Sequence, residues 1–335
     1  MLVIGIAGTE LDDAARAAID AAHTSGVILF ARNVAAREQT QALIDAIRAR
    51  RPGPFLVCVD QEGGPVQRFR QGFTALPALA RLGEVYDRDP ARAVALAEEH
   101  AWVMASEMRA LDIDLSFAPV LDLRRGNRAI GERALHADPA VVSELGLAYL
   151  RGMHLAGMAA TAKHFPGHGS VAEDTHFDVA SDPRPLSDLR ASDLLPFADA
   201  IGAGVDAVMM AHVAYPAVDA APAGCSRSWI EDILRGELGF RGVICSDDIG
   251  MAAAEAAGGV DARLRAHLDA GCDLVLACQP SLVPEALAAA RGRTPCAEAR
   301  LAPLRGLVAC TWQSLHDNPQ RGAFVARLAA LNSTS

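Results

Sequence analysis

The chain alternates between short, almost wholly apolar runs and longer stretches in which Ala, Leu, Arg and Glu recur at helical spacing. The apolar runs fall at residues 2–7, 26–30, 55–60, 115–121, 159–164, 207–213, 242–246 and 273–277. Clear helical patterns lie between them at 12–23, 37–50, 91–111 and 139–156. A strand covered by helices on both faces has no solvent side, so it is continuously apolar rather than alternating. Eight such runs, each followed by helical sequence, predict an α/β fold, a single (β/α)8 TIM-type barrel. A doubly wound sheet is the structural alternative, because alternation does not by itself require closure. Beyond Gln279 the strand pattern stops. Residues 280–335 are therefore expected to form a helical and irregular C-terminal cap on one domain spanning 1–335.

Polar residues collect where the apolar runs end. Asp60-Gln61-Glu62-Gly63-Gly64 follows the third run and Asp122 the fourth. Lys163-His164 ends the fifth, His212 the sixth, and Asp247-Asp248 follows the seventh. In a barrel, the C-terminal strand ends converge on one mouth. A single polar ending is unremarkable; ionisable groups at five of eight ends point to a shared site.

Composition narrows the range of functions. Hydrophobic residues make up 51% of the 335 residues and charged residues 21%, ample for a packed core and unlike a disordered chain. The formal net charge of −10 disfavours general nucleic-acid binding, which needs a basic surface. Residues 1–13 lack the basic start of a signal peptide, and no apolar stretch reaches the ~20 residues of a membrane span. The seven cysteines are odd in number and several lie in strand-like runs, consistent with buried free thiols in a reducing cytoplasm.

Four segments carry candidate chemistry. The densest is Lys163-His164-Phe165-Pro166-Gly167-His168-Gly169, followed by Glu173-Asp174-Thr175-His176. Its Pro and Gly residues mark a loop directly after a strand. Asp174 and His176 are two apart, so both reach the mouth only if the loop is not helical; a carboxylate beside an imidazole orients it and raises its basicity. The second is Ser246-Asp247-Asp248-Ile249-Gly250-Met251, where a strand-end aspartate can serve as nucleophile at a glycosyl centre or simply cap a helix. Neighbouring side chains diverge along a strand, so only one of the two aspartates is expected in the mouth. The third is Asp60 to Gly64 with Gln67-Arg68, where Asp60 could accept from sugar hydroxyls and Arg68 orient it. The fourth is Ile130-Gly131-Glu132-Arg133 in a long loop. A metal-dependent hydrolase using His164, His168, His176 or His212 stays open, though no His-x-His or His-Glu-x-x-His spacing occurs. So does a sugar-binding protein on an inactive barrel.

Together the VDQEGGPVQRF, IGER, KHFPGHG with DTH, and SDDIGM segments resemble the bacterial β-N-acetylglucosaminidases of glycoside hydrolase family 3. The resemblance runs from about residue 3 to residue 280. It implies a retaining β-N-acetylhexosaminidase with Asp247 as nucleophile and His176, assisted by Asp174, as general acid/base. It implies that Asp60, Arg68, Arg133, Lys163 and His164 bind the non-reducing N-acetylglucosamine. The expected substrate is a muropeptide carrying β-1,4-linked N-acetylglucosamine, in cytoplasmic peptidoglycan recycling; the expected enzyme is a monomer without cofactor, nucleic-acid or membrane partner. A phosphorylase of the same family is an alternative, since a histidine acid/base tolerates an anionic acceptor. Two departures are Ala134-Leu135 after Gly-Glu-Arg, where Ser and an aromatic are usual, and Ile249-Gly250 after the aspartates, where Leu-Ser is common. The first is expected to affect loop packing rather than Arg133. The segment 170–173 lacks helical character, and the expected loop would close over bound sugar.

Overall fold

The computed structural model describes residues 1–171, 180–307 and 310–332. Eight parallel strands form its centre: β1 (Leu2–Gly5), β2 (Thr24–Leu29), β3 (Leu56–Val59), β4 (Leu115–Ser116), β5 (Thr161–Phe165), β6 (Ala207–Met210), β7 (Val243–Asp248) and β8 (Leu274–Ala277). They are hydrogen-bonded in the order β4-β3-β2-β1-β8-β7-β6-β5. The ring closes between β4 and β5 through parallel bridges at Leu115–Ala159 and Val120–Lys163. Leu121 N–H donates to the Lys163 carbonyl at 2.7 Å, and Thr161 N–H to that of Ala118 at 2.7 Å. The sheet is thus the expected (β/α)8 barrel rather than an open doubly wound sheet.

The continuous apolar runs have a direct structural counterpart. Val3, Ile28, Leu56, Cys58, Met209, Val243, Cys245 and Leu276 belong to the core inside the barrel. Their strand neighbours Leu2, Ile4, Val57, Val59, Val208 and Ile244 belong to the layer beneath the helices. Both faces of each strand are buried, so neither can be polar.

The helical ring includes α1 (Asp13–Asp20), α2 (Arg37–Arg50), α3 (Pro90–Arg109), α4 (Pro139–Leu155), α5 (Leu195–Gly202), α6 (Val260–Ala270) and α7 (Val283–Ala290). The two longest, α3 and α4, start alike. Asp89 and Asp138 are N-caps, accepting from Arg92 N–H and Ala140 N–H, and each is followed by a proline at the first helical position. Proline loses nothing there, because that N–H has no intrahelical acceptor. Between β6 and β7 the helix Ser228–Glu237 winds with the wider π pitch.

No strand follows Ala277 among the described residues. Leu301 and Leu304 pack into the interior core. Asp114, fully buried, accepts from Arg48 at 2.6 Å and from Gly306 N–H at 3.2 Å, tying the C-terminal segment to the barrel. The last helix, α8 (Pro319–Asn332), is held against α3 by Arg321–Glu107 at 2.5 Å and Arg327–Glu99 at 2.7 Å. No described helix is long and apolar enough to cross a membrane.

Candidate active site

The C-terminal strand ends open into a cleft of about 450 Å3, lined by Asp60, Glu62, Arg68, Arg133, Lys163, His164, Asp247 and Asp248 among others. A larger groove of about 720 Å3 lies outside the barrel against α2, lined by Glu10, Leu11, Arg16, Ala42, Leu43 and Arg50 among others, and holds none of the strand-end residues. The structure therefore brings together six of the eight sequence-predicted site residues. The other two, Asp174 and His176, lie outside the described residues.

One wall comes from β3 and the hairpin after it. Gln61–Gly63 pairs antiparallel with Val66–Gln67. The turn needs its glycines: Gly63 and Gly64 have φ of +101° and +53°. A Cβ on Gly63 would also sit 2.7 Å from the Pro77 carbonyl oxygen. The Gln61 side chain fastens the returning strand, donating to Phe69 O at 2.9 Å and accepting from Phe69 N–H at 3.0 Å. This geometry places Glu62 under the cleft, with its carboxylate almost wholly buried. Arg133 grips it with two bonds of 2.8 Å, and Lys163 Nζ lies 2.6 Å from Oε1. Lys163 also donates to Asp60 at 3.0 Å, and Arg68 faces the other Asp60 oxygen at 3.5 Å. Burial opposes ionisation of Glu62, but Arg133 and Lys163 outweigh it and hold the carboxyl well below its usual range. Burial likewise works against Lys163, whose pKa is nonetheless raised by Asp60 and Glu62. The cluster is thus a charged network of fixed geometry.

The sequence pattern shows Glu62 beside Asp60 without giving it a role. Its partner Arg133 is 71 residues away, and only the fold joins them. One signal was available: residues 60 and 62 are two apart on extended chain and so share a face. Arg133, ordinary for a surface residue by sequence, has a largely buried side chain. The Ala134-Leu135 departure is buried in the core, with Leu135 packed on Gly83 and the Glu62–Arg133 pair intact. Arg68 Nε is buried without a hydrogen-bond partner among the described residues.

The opposite wall is built on β5 and β7. The Lys163–His164 peptide bond is cis. His164 Nδ1 donates to Asp122 Oδ2 at 2.7 Å, so its Nε2 faces the cleft, 3.9 Å from Asp247 Oδ2. Asp122 also accepts the backbone N–H of His168 at 2.6 Å. Burial works against its charge, but His164 and His168 hold its pKa below the usual value. Gly169 lets this loop lie flat: a Cβ there would be 1.8 Å from the Leu123 carbonyl oxygen. Asp122 was visible as a strand-end acid, yet its task of aiming His164 depends on the β4–β5 closure.

The aspartate pair differs from expectation. β7 runs on through Asp248, and its register against β8 shifts between Cys245 and Asp248. Strict alternation fails across that irregularity, so both carboxylates line the cleft instead of diverging. Their environments separate them. Burial disfavours charge on Asp247, but His164, His212, Lys163 and the Asp248 N–H prevail and bring its pKa down to about 2. Asp248 is pushed the other way, upward, chiefly by burial. Its Oδ1 is already occupied by the N–H groups of Gly250 and Cys278, each at 3.0 Å. A carboxylate that is ionised and has an open oxygen suits nucleophilic attack; one held by two backbone donors suits a structural role.

Of the histidines considered for a metal, His176 lies outside the described residues and the other three are engaged within the protein. Besides His164, His168 Nδ1 lies 3.1 Å from the Asn127 amide, and His212 Nε2 bonds the Asp248 carbonyl at 3.0 Å. No three metal-ligating side chains are grouped to hold an ion among the described residues.

Residues 2–300 match the glycosyl hydrolase family 3 N-terminal domain. A β-hexosaminidase of Stenotrophomonas maltophilia strain R551-3 is 60% identical over 322 residues, covering 96% of each chain. The crystal structure of NagZ from Neisseria gonorrhoeae in complex with N-trifluoroacetyl-D-glucosamine superposes with a TM-score of 0.91 at 40% identity, over 98% of this chain and 97% of that one. A structure of the same protein in complex with zinc ion gives a TM-score of 0.90 at 39% identity, with coverage of 98% and 97%.

Proposed function

The chain belongs to glycosyl hydrolase family 3 and is a glycoside hydrolase, and from that premise we propose a retaining β-N-acetylhexosaminidase that removes non-reducing terminal N-acetylglucosamine from muropeptides. The observation that carries this reading is the position of Asp247. It is ionised, has one oxygen towards His164, and shares a cleft with a ring of donors and acceptors on fixed side chains.

Attack by Asp247 on the anomeric carbon forms a glycosyl ester as the bond to the leaving oxygen breaks. His176, oriented by Asp174, gives that oxygen its proton, then takes one from the water that hydrolyses the ester. The unperturbed imidazole pKa of ~6.5 suits both transfers near neutrality. A histidine also adds no second anion beside the ester, where it would repel a negatively charged muropeptide.

Asp60, Arg68, Arg133, Lys163 and His164 bind the sugar in this account. The rigid Glu62 network fixes Arg133 and Lys163 before substrate arrives, which lowers the cost of ordering them on binding. The Neisseria protein's 2-acylamido sugar complex supports a site for that sugar class. Residues 280–335 belong with the barrel in one catalytic domain. The protein acts as a cytoplasmic monomer in peptidoglycan recycling, and no cofactor enters the chemistry.

The test compares p-nitrophenyl β-N-acetylglucosaminide with the matching β-glucoside. Groups placed for an amide and hydroxyls are left unpaired by the wrong sugar, so the N-acetylglucosaminide is expected to win by about 10²-fold or more. Equal turnover contradicts the assignment. Repeating the assay after chelation and with added phosphate separates the metal-dependent and phosphorylase alternatives, since neither treatment should change the hydrolysis rate.

A further inference from the structure

His212 stands just beyond the end of β6, beside the aspartate pair. It is almost wholly buried and does not line the cleft. Its Nε2 reaches the Asp248 carbonyl oxygen at 3.0 Å. A carbonyl can only accept, so Nε2 carries the proton. Behind it, the His267 ring packs edge-on at 5.3 Å between centroids, with planes 82° apart. His267 is itself buried and fixed by its Nδ1–H, which donates to the Arg263 carbonyl at 2.8 Å. His212 thus has a defined ring plane and an Nε2 proton committed to the Asp248 carbonyl.

The bond it makes completes a frame around the nucleophile. Asp248 N–H donates to Asp247 Oδ1 at 2.8 Å. The Asp248 side chain is fastened by Gly250 and Cys278, and its carbonyl accepts from both Met251 N–H, at 3.1 Å, and His212. The Asp247 carbonyl is held in turn by the Ser246 hydroxyl at 2.6 Å, and that hydroxyl accepts Leu276 N–H from β8 at 3.1 Å. These contacts are directed into the protein, while Asp247 Oδ2 faces His164 across the cleft at 3.9 Å.

We propose that His212 is a positioning residue: through its hydrogen bond to the Asp248 carbonyl it fixes the strand end so that Asp247 Oδ1 is committed to the Asp248 N–H and Oδ2 is the oxygen that attacks. The backbone irregularity in β7 is where this support acts. An ideal strand end would be secured by regular pairing, whereas the register of β7 against β8 is broken at this point. Met251 N–H holds the Asp248 carbonyl from within the same loop, and the buried imidazole adds a second donor from the neighbouring strand end after β6. This rests on Asp247 being the nucleophile, and the experiment is chosen to keep the two questions apart.

The test contrasts His212→Gln with His212→Met. The two replacements are similar in length and bulk, but only Gln offers an N–H at the end of the chain. The readouts are kcat on an aryl N-acetylglucosaminide, the inhibition constant of N-acetylglucosamine, and the thermal midpoint of each variant. His212→Met should lose about 10–100-fold in kcat, the range expected when a reacting group is misplaced by about an ångström. Sugar binding should stay within about threefold. His212→Gln should recover most of kcat. The proposal is overturned if Gln and Met variants behave alike, or if the Met variant's loss lies in sugar binding rather than kcat. If Asp247→Ala retains activity, the nucleophile assignment fails first. If Asp247→Ala is inactive while Gln and Met are equal, only the role of His212 fails.

Discussion

At neutral pH Asp247, with a pKa brought down to about 2, is fully ionised, and no part of the working pH profile should report its titration. Glycosylation instead needs a protonated acid, the role proposed for His176. For an unactivated disaccharide, kcat/KM should therefore fall as pH rises past about 6.5, the ordinary imidazole value, at a point that the neighbouring Asp174 moves upward. An aryl glycoside with an acidic phenol leaves unaided and should lack that limb. Finding the same alkaline limb in His176→Ala would contradict the assignment. The neighbouring carboxylates give a second comparison. Asp247→Ala should lose about 10³-fold or more, as removal of a covalent catalyst does. Asp248→Ala should lose less, because that carboxylate serves two backbone N–H groups rather than the sugar. Activity that survived in Asp247→Ala but not in Asp248→Ala would reverse the two roles.

Among elements, the loop after β5 is tied at both flanks to one acid. Ser170 Oγ donates to Asp193 at 2.6 Å on one side; on the other, Arg184 pairs with Asp193 at 2.9 Å and with Asp182 at 2.6 Å. Asp174 and His176 lie between those flanks in sequence. Asp193→Ala should therefore mimic a weakened acid/base, losing more activity on the disaccharide than on the activated aryl glycoside. Equal losses on both substrates would place Asp193 in general packing instead.

The same elements show what the sequence could reveal. All eight strands were legible because a strand buried on both faces leaves a continuous apolar run, as in Leu56–Val59 and Leu274–Ala277. The candidate residues at their ends were legible for the same reason, as polar groups that interrupt those runs. Roles that depend on a partner across the barrel were not. Glu62 has meaning only beside Arg133 and Lys163, and Asp122 only beside His164. The bulge that turns both Asp247 and Asp248 into the cleft arises from pairing with β8, which no local pattern encodes.

For the molecule as a whole, buried titratable groups set the response to acid. Burial drives the pKa of His100 down to about 4 and that of His267 to about 3. The unfolded chain protonates these histidines near pH 6.5 while the fold keeps them neutral. Stability is therefore lost as pH falls from about 6.5, by up to about 1.4 kcal/mol per pH unit for each. Glu62, Asp122 and Asp247 have folded pKa values below their unfolded ones. Their contribution is present above about pH 4 and is lost as pH falls further. Urea unfolding should thus show a first decline below pH 6.5 that steepens below pH 4. A flat profile down to pH 4 would show that the two histidines do not sit neutral in the fold.

The claim that joins these scales is that Asp247 carries the sugar as a covalent ester. It is tested most directly by mixing His176→Ala with an activated aryl N-acetylglucosaminide and mapping the protein by mass spectrometry. Loss of the base should slow ester hydrolysis more than ester formation. The account predicts that the peptide containing Asp247 gains one N-acetylglucosaminyl unit, on Asp247 itself. A peptide that stays unlabelled while the aryl group is released, or a label on Asp248, would contradict it.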